Sequence, residues 1–393
     1  MLSVDPVIPG IAAIAPDLIA VRRQIHANPE LAFEERATSD LVASLLTQWG
    51  YEVTRGLGKT GVVGVMKLGS GSRRIGLRAD MDALPIEEAT GLPYTSAVPK
   101  TMHACGHDGH TAMLLCAARY LAESRQFSGT LTLIFQPAEE SYGGARAMIQ
   151  DGLFEQFPCD AVFGLHNMPG YETGGMNFCT GPAMASADRA TIVLRGLGGH
   201  SALPHLSRDP MPAVAGIILA LQSIVAREID SQKSAVISVG SVKAGDTFNV
   251  IPQTAEMKLS IRALDPAVRD LLRQRITALV QAQAASFGVE AEIDYEWGYP
   301  VLVNHAEPTA FAAEVAQKML GTQRVDTQAH PLMGSEDFAF MAEVVPGAYA
   351  WIGNGIEGKG SCMVHNPGYD FNDDILAIGA SYWVRLTEAY LAD

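Results

Sequence analysis

Residues 102–110, MHACGHDGH, carry a cysteine, an aspartate and three histidines within nine positions. Thiolate, neutral imidazole and carboxylate are the side chains that bind transition metals, and a catalytic site leaves one coordination position open for water. Cys105 and His107 lie one residue apart, where a strand pattern gives way to a helix pattern. This placement favours a pair of metal ligands over a small buried cysteine beside an unrelated histidine. His103 and His110 are expected to support the site without binding metal.

Further candidate ligands follow other predicted strands. They are Asp80 and Asp82 in RADMDALP, Glu139 and Glu140 in FQPAEE, His166 in GLHNMP, and His365 in the loop after AYAWIG. Because the carboxyl ends of parallel strands face the ligand crevice of an α/β sheet, we expect these side chains to converge. Of two adjacent carboxylates, one can bind metal while the other acts as general base for an activated water. Asp82 is expected to orient a ligand.

The elements that must position these residues alternate between helix and strand patterns in the first half of the chain. Strands separated by helices predict an α/β fold with a mostly parallel sheet covered on both faces. After residue 183 the order becomes β-α-β-β-α-β, which is typical of a ferredoxin-like α+β unit. The sequence therefore predicts a catalytic domain in two parts, 1–183 and 299–393, interrupted by a smaller domain at 184–298.

The length, charge and motifs of the chain argue against several classes of function. A chain of 393 residues is too long for one ordinary core, and a formal net charge of −15 argues against a nucleic-acid partner. Five cysteines at irregular spacing do not form a disulfide framework and fit a cytoplasmic protein. No uncharged apolar run is long enough to predict a membrane span. The phosphate-binding loop, the G-x-S-x-G elbow and the HEXXH motif are all absent from the sequence.

Eight motifs together carry a family resemblance. In chain order they are RRQIHANPELAFEE, GLRADMDALPIEE, MHACGHDGHTAMLL, IFQPAEE, GLHNMP, GGHSALPH, DTFNVIP and MGSEDFAF. Over essentially its whole length the chain resembles the hippurate hydrolase-like amidohydrolases, a branch of the aminoacylase and carboxypeptidase-G metallopeptidase family. The resemblance implies metal-dependent hydrolysis of the amide bond of N-acyl amino acids. A carboxylic acid and a free amino acid would be released.

The resemblance also implies roles for particular residues. Glu139 would be the general base, and two divalent metal ions per subunit would be held by Cys105, His107, Glu140, His166 and His365. In the peptidase branch a histidine ligand stands at the position of Asp80, and a bridging carboxylate stands at that of Cys105. The role of Asp80 is therefore open. We group it with Asp82, as a residue that orients the metal ligands. The metal is open among Zn, Ni, Co and Mn.

For the smaller domain the resemblance implies a dimerisation or lid function, and so a homodimer or a dimer of dimers. His200 in GGHS would reach a partner subunit's active site and polarise the scissile carbonyl. Asn249 in FNVIP and Arg262 in SIRALDP would help to bind the acyl or carboxylate group of the substrate. The identity of that acyl group and of the amino acid is left open.

Two other functions are alternatives at this stage. Cys105 as a thiolate nucleophile with His107 as base would make a cysteine hydrolase. A gap of one residue rarely lets two such side chains meet, and this alternative leaves the other candidate ligands unexplained. A catalytically silent, metal-bound protein that only binds acyl amino acids is the second alternative. The intact Glu139 argues against it.

Overall fold

The structure is a computed structural model that describes residues 6–140, 142–358 and 360–392. Its helices are α1 (Pro9–Ala27), α2 (Arg36–Gln48), α3 (His107–Ser124), α4 (Gly144–Gln150), α5 (Leu153–Gln156), α6 (Pro210–Arg227), α7 (Pro266–Ser286), α8 (Ala306–Leu320), α9 (Phe338–Val344) and α10 (Leu376–Tyr390). Its strands are β1 (Glu52–Leu57), β2 (Gly61–Leu68), β3 (Arg74–Asp80), β4 (Gly129–Gln136), β5 (Ala161–Pro169), β6 (Met176–Phe178), β7 (Gly181–Met184), β8 (Ala187–Arg195), β9 (Gly199–His200), β10 (Ala235–Ala244), β11 (Val250–Ile251), β12 (Thr254–Ala263), β13 (Glu290–Tyr299), β14 (Leu302–Asn304), β15 (Val325–Asp326) and β16 (Gly347–Gly355).

The chain divides into two compact units. Unit 1 comprises Met1–Gly181, Val303–His330 and Asp337–Asp393, and unit 2 comprises Pro182–Leu302 and Pro331–Glu336. Unit 2 is therefore slightly longer at both ends than the expected 184–298, and it includes a short segment from later in the chain. That segment joins unit 2 through backbone hydrogen bonds between Leu332 and both Ala183 and Ala185. A long-range backbone bridge of this kind leaves no periodic pattern in the sequence.

An eight-stranded sheet forms the centre of unit 1, in the order β1-β2-β4-β3-β5-β16-β6-β15. The middle of the sheet, from β4 through β3 and β5 to β16, is parallel. Antiparallel pairs lie towards the edges, at β1–β2, β2–β4 and β16–β6. Strands β3, β5 and β16 are buried along nearly their whole length, as strands covered on both faces must be. The predicted mostly parallel sheet is confirmed.

Helix α3 runs through the interior of unit 1 and begins within the motif MHACGHDGH. It packs against α1 and α10, and its residues Met113, Leu114, Ala117 and Leu121 are buried, as their apolar pattern predicts. A helix that is apolar on nearly all sides has to be enclosed in this way. The start of α3 is therefore held in the core, which fixes the position of His107.

Unit 2 contains a four-stranded antiparallel sheet in the order β10-β12-β8-β13, packed against α6 and α7. Its chain order is the predicted β-α-β-β-α-β. Strand β12 alternates between buried and exposed residues, because one face of this sheet carries the helices. Asp209 and Asp265 accept backbone N–H groups at the starts of α6 and α7, each followed by proline.

Helix α6 is long and apolar enough, by length and composition alone, to cross a membrane: its 18 residues have a mean hydropathy of 1.5. Core helices pass the same test. Residues Ala213, Ile217, Leu221 and Ile224 of α6 are buried in the core of unit 2, whereas Leu219 is 76% exposed.

Arg22 is wholly buried and lies among three carboxylates of unit 1. Its guanidinium is 3.3 Å from Asp108, 3.3 Å from Asp370 and 2.9 Å from Asp373. These ion pairs join α1 to the first turn of α3 and to the segment that follows His365. A buried cation among partners of opposite charge would be very costly to leave unpaired. Arg22 therefore links the elements on which candidate ligands lie.

His26, one turn further along α1, continues this buried network. Its Nδ1 lies 2.9 Å from Asp108 and its Nε2 lies 3.3 Å from Glu88. Burial alone would lower the pKa of His26, but the carboxylates of Asp108 and Glu88 outweigh burial and raise it to about 9. His26 thus ties the end of α1 to the loop that precedes the motif MHACGHDGH.

The raised pKa of His26 predicts how stability depends on pH. The unfolded value is near 6.5, so the stabilisation is fully present below pH 6.5 and is lost as the pH rises through about 9. The free energy involved is at most about 3 kcal/mol. We expect urea unfolding midpoints to fall over this range, and the fall to be shallower in His26→Gln. His205→Gln, at an exposed histidine, should keep the wild-type slope. An unchanged slope in His26→Gln would contradict the assignment.

Candidate metal centre

The candidate ligands of unit 1 lie together in one cluster. The Sγ of Cys105 is 3.3 Å from Nε2 of His166, and Nε2 of His365 is 3.0 Å from Oε1 of Glu140. Three groups of potential ligand atoms each lie within 4.8 Å of one another, and they share members: Cys105–His107–His166, Cys105–Glu140–His365 and His107–Glu139–Glu140. The structure therefore brings together all five candidate ligands and Glu139.

Tight backbone geometry places Cys105 and His107. Between them, Gly106 adopts a left-handed conformation with φ +89°. A Cβ at this position would lie 2.3 Å from Oδ1 of Asn167 and 2.4 Å from the hydroxyl of Tyr369, so only glycine fits. His365 is also left-handed, with φ +65°, and its N–H donates to the carbonyl of Ala104 over 2.7 Å. This bond ties the His365 loop to the motif that carries Cys105.

Asp82 contacts two parts of the cluster at once. Its Oδ1 accepts the backbone N–H of Glu139 over 3.0 Å, and its Oδ2 accepts that of Glu140 over 2.9 Å. Oδ1 also lies 3.2 Å from Nδ1 of His107. Because a carboxylate accepts hydrogen bonds, Nδ1 of His107 is the protonated nitrogen, and Nε2 faces the cluster. This geometry supports the expected orienting role of Asp82.

Nε2 of His107 is buried and has no hydrogen-bond partner. Oδ2 of Asp80 lies 3.7 Å from this nitrogen. Burial lowers the pKa of His107, but Asp80 raises it well above its usual range. This raised pKa favours a proton on Nε2 when no metal is bound, and a metal ion that displaced the proton would give this buried nitrogen a partner. The residues present therefore fit a bound metal ion.

His166 has the protonation that a ligand needs. Burial, together with the neighbouring His110, holds the pKa of His166 well below its usual range, so the imidazole is neutral. Its Nδ1 donates to the carbonyl of Asn167 over 2.5 Å, which leaves a lone pair on Nε2, facing Cys105. A metal-binding histidine usually donates a hydrogen bond in this way from the ring nitrogen that does not bind the metal.

The environment of Cys105 argues against a thiol nucleophile. Burial, and then the carboxylate of Glu140, raise the pKa of the Cys105 thiol to about 12. Reactive cysteines instead have lowered pKa values and lie in electropositive, partly exposed surroundings. Only a nearby cation would make Cys105 a thiolate here. The cysteine-hydrolase alternative is therefore disfavoured by the geometry of the site.

Asp80 lies beneath the cluster and is held by basic groups. Nη1 of Arg78 donates to Asp80 over 2.7 Å, and Nδ1 of His110 donates over 2.6 Å. Although burial opposes it, Arg78, His107 and His110 hold the pKa of Asp80 well below its usual range. Asp80, His107 and His110 also lie within 4.8 Å of one another. However, Asp80 and His110 already have strong partners, since Nε2 of His110 lies 2.7 Å from the acceptor Oδ1 of Asn167.

Some supporting residues were not predicted from the sequence. Arg78 lies in the buried part of strand β3, and a charged residue directly after the apolar run Ile75–Leu77 was a usable signal. Asn167 donates to the hydroxyl of Tyr369 over 2.6 Å, and both are fully buried. Only the tertiary fold brings this pair together across 202 positions.

His103, which was expected to support the site, is buried, and burial lowers its pKa to about 3.

The remaining predicted residues belong to unit 2. His200 pairs with Val250 between β9 and β11, and the N–H of Ser201 donates to the carbonyl of Asn249 over 3.2 Å. His200 and Asn249 are exposed. Arg262 is partly buried and donates to the carbonyl of Met333 over 3.2 Å. The contributions of these residues to the site in unit 1 stay predictions.

Comparisons with known proteins agree with this geometry. Residues 76–389 match the model of peptidase family M20/M25/M40. Hippurate hydrolase of Campylobacter jejuni is 47% identical over 384 residues, which cover 98% of this chain and 99% of that enzyme. N-acetyl-L-cysteine deacetylase of Bacillus subtilis is 38% identical, covering 98% and 90% of the two chains.

A solved structure extends the similarity to three dimensions. The YxeP protein of Bacillus subtilis, described as a dinuclear metal-binding peptidase of the M20 family, superposes with a TM-score of 0.84 at 33% identity. The match covers 97% of this chain and 99% of that one. The resemblance seen in the motifs thus holds along the chain. This protein is a member of peptidase family M20/M25/M40.

Proposed function

We propose that this protein hydrolyses the amide bond of N-acyl amino acids and releases a carboxylic acid and a free amino acid. The observation that carries the proposal is the cluster of five potential metal ligands with Glu139 beside them. The names of the two relatives span an aromatic acyl group, in hippurate, and an acetyl group. We therefore propose N-acyl amino acids as the substrate class without choosing one acyl group.

Two divalent ions would be held by Cys105, His107, Glu140, His166 and His365. When bound, such ions supply a water of lowered pKa and polarise the carbonyl of the amide. Thiolate and imidazole donors suit Zn, Co or Ni, and the carboxylate also admits Mn. The neutral state of His166 and the unpartnered Nε2 of His107 support these two residues as ligands.

Glu139 is the proposed general base. Its carboxylate takes a proton from the attacking water and passes it to the nitrogen of the leaving amino acid. The hydrogen bond from its backbone N–H to Asp82 fixes the start of this side chain. Glu139 is only 7% exposed, so its proton transfers are shielded from bulk water. A preorganised base of this kind fits the hydrolysis of a stable amide.

We further propose that His200 polarises the scissile carbonyl in a partner subunit. The N–H of Ala202 donates to Nδ1 of His200 over 3.0 Å, so Nε2 carries the ring proton when the imidazole is neutral. An exposed N–H donor of this kind is suited to stabilising an oxyanion. Asn249, beside it, and Arg262 would bind the acyl or carboxylate group of the substrate.

The proposed partner is a second copy of this chain, bound through unit 2. Leu219 and Met211 on α6 are 76% and 46% exposed, and β10 lies at an edge of its sheet with Val236 and Val242 partly exposed. Such a patch on a helix and an edge strand is typical of an interface.

No disulfide joins the five cysteines, which supports a reducing compartment such as the cytoplasm.

Replacement of a proposed ligand should weaken metal binding. We expect Cys105→Ser to lower the affinity for divalent metal by at least about tenfold, because the soft thiolate donor is lost. Metal content after gel filtration and competition with a chelator would measure this. Cys116→Ser, at another buried cysteine of unit 1, is the matched control and should retain metal. Equal metal affinity in the two variants would exclude Cys105 as a ligand.

Removal of the base should separate turnover from metal binding. We expect Glu139→Gln to lower kcat by about 10²–10⁴-fold while the metal content stays near that of the wild type. Release of glycine from N-benzoylglycine, measured with matched metal loading, would test this. Glu123→Gln, at an exposed glutamate of α3, should leave kcat unchanged. Near-normal turnover in Glu139→Gln would show that the base lies elsewhere.

The proposed interface can be tested by placing a charge on it. We expect Leu219→Glu to shift the sedimenting species from dimer to monomer, because a carboxylate would have to be buried in the interface. Ala278→Glu, at an exposed position of α7, is the control and should sediment as the wild type does. A dimer that survives Leu219→Glu unchanged would place the interface away from α6.

A further inference from the structure

Glu35 is a fully buried carboxyl group to which the proposed reaction gives no role. Its Oε1 accepts the backbone N–H of Ala138 over 2.8 Å, and its Oε2 accepts the hydroxyl of Thr60 over 2.5 Å. Among the described residues, Glu35 belongs to no group that could hold a metal ion. It contacts the turn that carries Glu139 and Glu140 through the backbone of Ala138.

That turn is held at three successive amides by two buried carboxylates. Glu35 accepts the N–H of Ala138, and Asp82 accepts those of Glu139 and Glu140. The carbonyl of Ala138 in turn accepts the N–H of Gly144 over 3.0 Å. A carboxylate anchored at its backbone on both sides has little freedom to reorient. These bonds therefore fix the backbone of the turn and the direction in which the side chains of Glu139 and Glu140 leave it.

The backbone at this turn is strained, which makes an anchor necessary. Ala138 is left-handed, with φ +52°, a conformation that residues other than glycine adopt only when their surroundings impose it. Two further left-handed residues, Phe33 at +64° and Lys59 at +72°, flank the segments of Glu35 and Thr60. The buried carboxyl group of Glu35 thus connects three short stretches of chain, each of which contains one left-handed residue.

The hydrogen bonds of Glu35 do not depend on its charge. Burial raises its pKa to about 7, and the nearby Asp82 adds to this while the bonds from Thr60 and Ala138 oppose it. When ionised, the carboxylate accepts from both partners. When protonated, it accepts from Ala138 and donates to the hydroxyl of Thr60. The anchor therefore persists in both states.

We propose that Glu35 is a positioning residue that locks Ala138 in its left-handed conformation and so aims Glu139 and Glu140 at the metal centre. The proposal rests on the proposed function for the role of Glu139, but the link from Glu35 to the turn is independent of the substrate. Residues that orient a metal site from outside it typically change affinity or activity by about 10–100-fold when they are replaced.

Three variants of Glu35 test this. Glu35→Ala removes both bonds, and we expect kcat at saturating metal to fall about 10–100-fold, with a smaller change in KM. Glu35→Gln can accept from Ala138 and donate to Thr60, so it should restore most of the lost activity. Glu35→Asp is shorter by one methylene and cannot span both partners. It should behave like the alanine variant, and it serves as the test if Glu35→Ala does not fold.

Glu30→Ala is the matched control. Glu30 lies on the same segment, and its carboxylate accepts the N–H groups of Ala37 and Thr38, each over 2.9 Å, without any bond to Ala138. The variant Glu30→Ala should lower the melting temperature of the protein without lowering kcat. A similar loss of kcat in Glu30→Ala would show that replacing Glu35 lowers kcat only by destabilising the fold, and would overturn the proposal. A loss in Glu35→Gln as large as in Glu35→Ala would also overturn the proposal.

Metal affinity gives a second measurement that does not need a substrate. Because Glu140 lies on the same turn, the affinity should fall in Glu35→Ala and Glu35→Asp and should be retained in Glu35→Gln and Glu30→Ala. If the wild type hydrolyses no N-acyl amino acid, the proposed function fails while this comparison still tests Glu35. Wild-type affinity and kcat in both Glu35→Ala and Glu35→Asp would contradict the positioning role.

Discussion

The carboxylate of Asp82 connects three parts of the candidate metal centre. It follows β3, accepts the backbone amides of Glu139 and Glu140 after β4, and orients His107 at the start of α3. Three segments that are distant in sequence thus share one buried acceptor. Without that acceptor, two backbone amides and an imidazole nitrogen would lose their bonds inside the protein, at a cost of about 1–3 kcal/mol each.

Around this centre, the buried charges of unit 1 are paired in two layers. Beneath the cluster, Arg78 forms an ion pair with Asp80, and Nδ1 of His110 lies within hydrogen-bond distance of it. Behind α3, Arg22 and His26 pair with carboxylates that include Asp108, the residue next to His107. The loss of hydration offsets much of the attraction in such pairs, but removal of one partner is costly, so the pairs define where each charged group must lie. The proposed ligands are therefore surrounded by buried groups that have charged or hydrogen-bonded partners of their own.

The sequence predicted much of the site because its chemistry is local. Cys105 and His107 share one motif, and Glu139, Glu140 and His166 follow strands whose apolar pattern is plain, so convergence at the sheet edge could be expected. The groups that hold them were not predicted in the same way. Glu35 reaches Ala138 across 103 positions, and nothing in the spacing of either segment indicates that contact. Likewise, the segment at 331–336 joins unit 2 by long-range hydrogen bonds, both between backbone groups and from the side chain of Arg262 to the carbonyl of Met333.

The most direct test of the central claim is metal dependence of amino-acid release. Protein stripped with a chelator would be compared with the same protein after Zn, Mn, Co or Ni is restored, on a panel of N-benzoyl and N-acetyl amino acids. The account predicts that release stops on stripping and returns with metal. Release that continues at the same rate in metal-free protein would contradict it, and would return attention to Cys105 as a nucleophile.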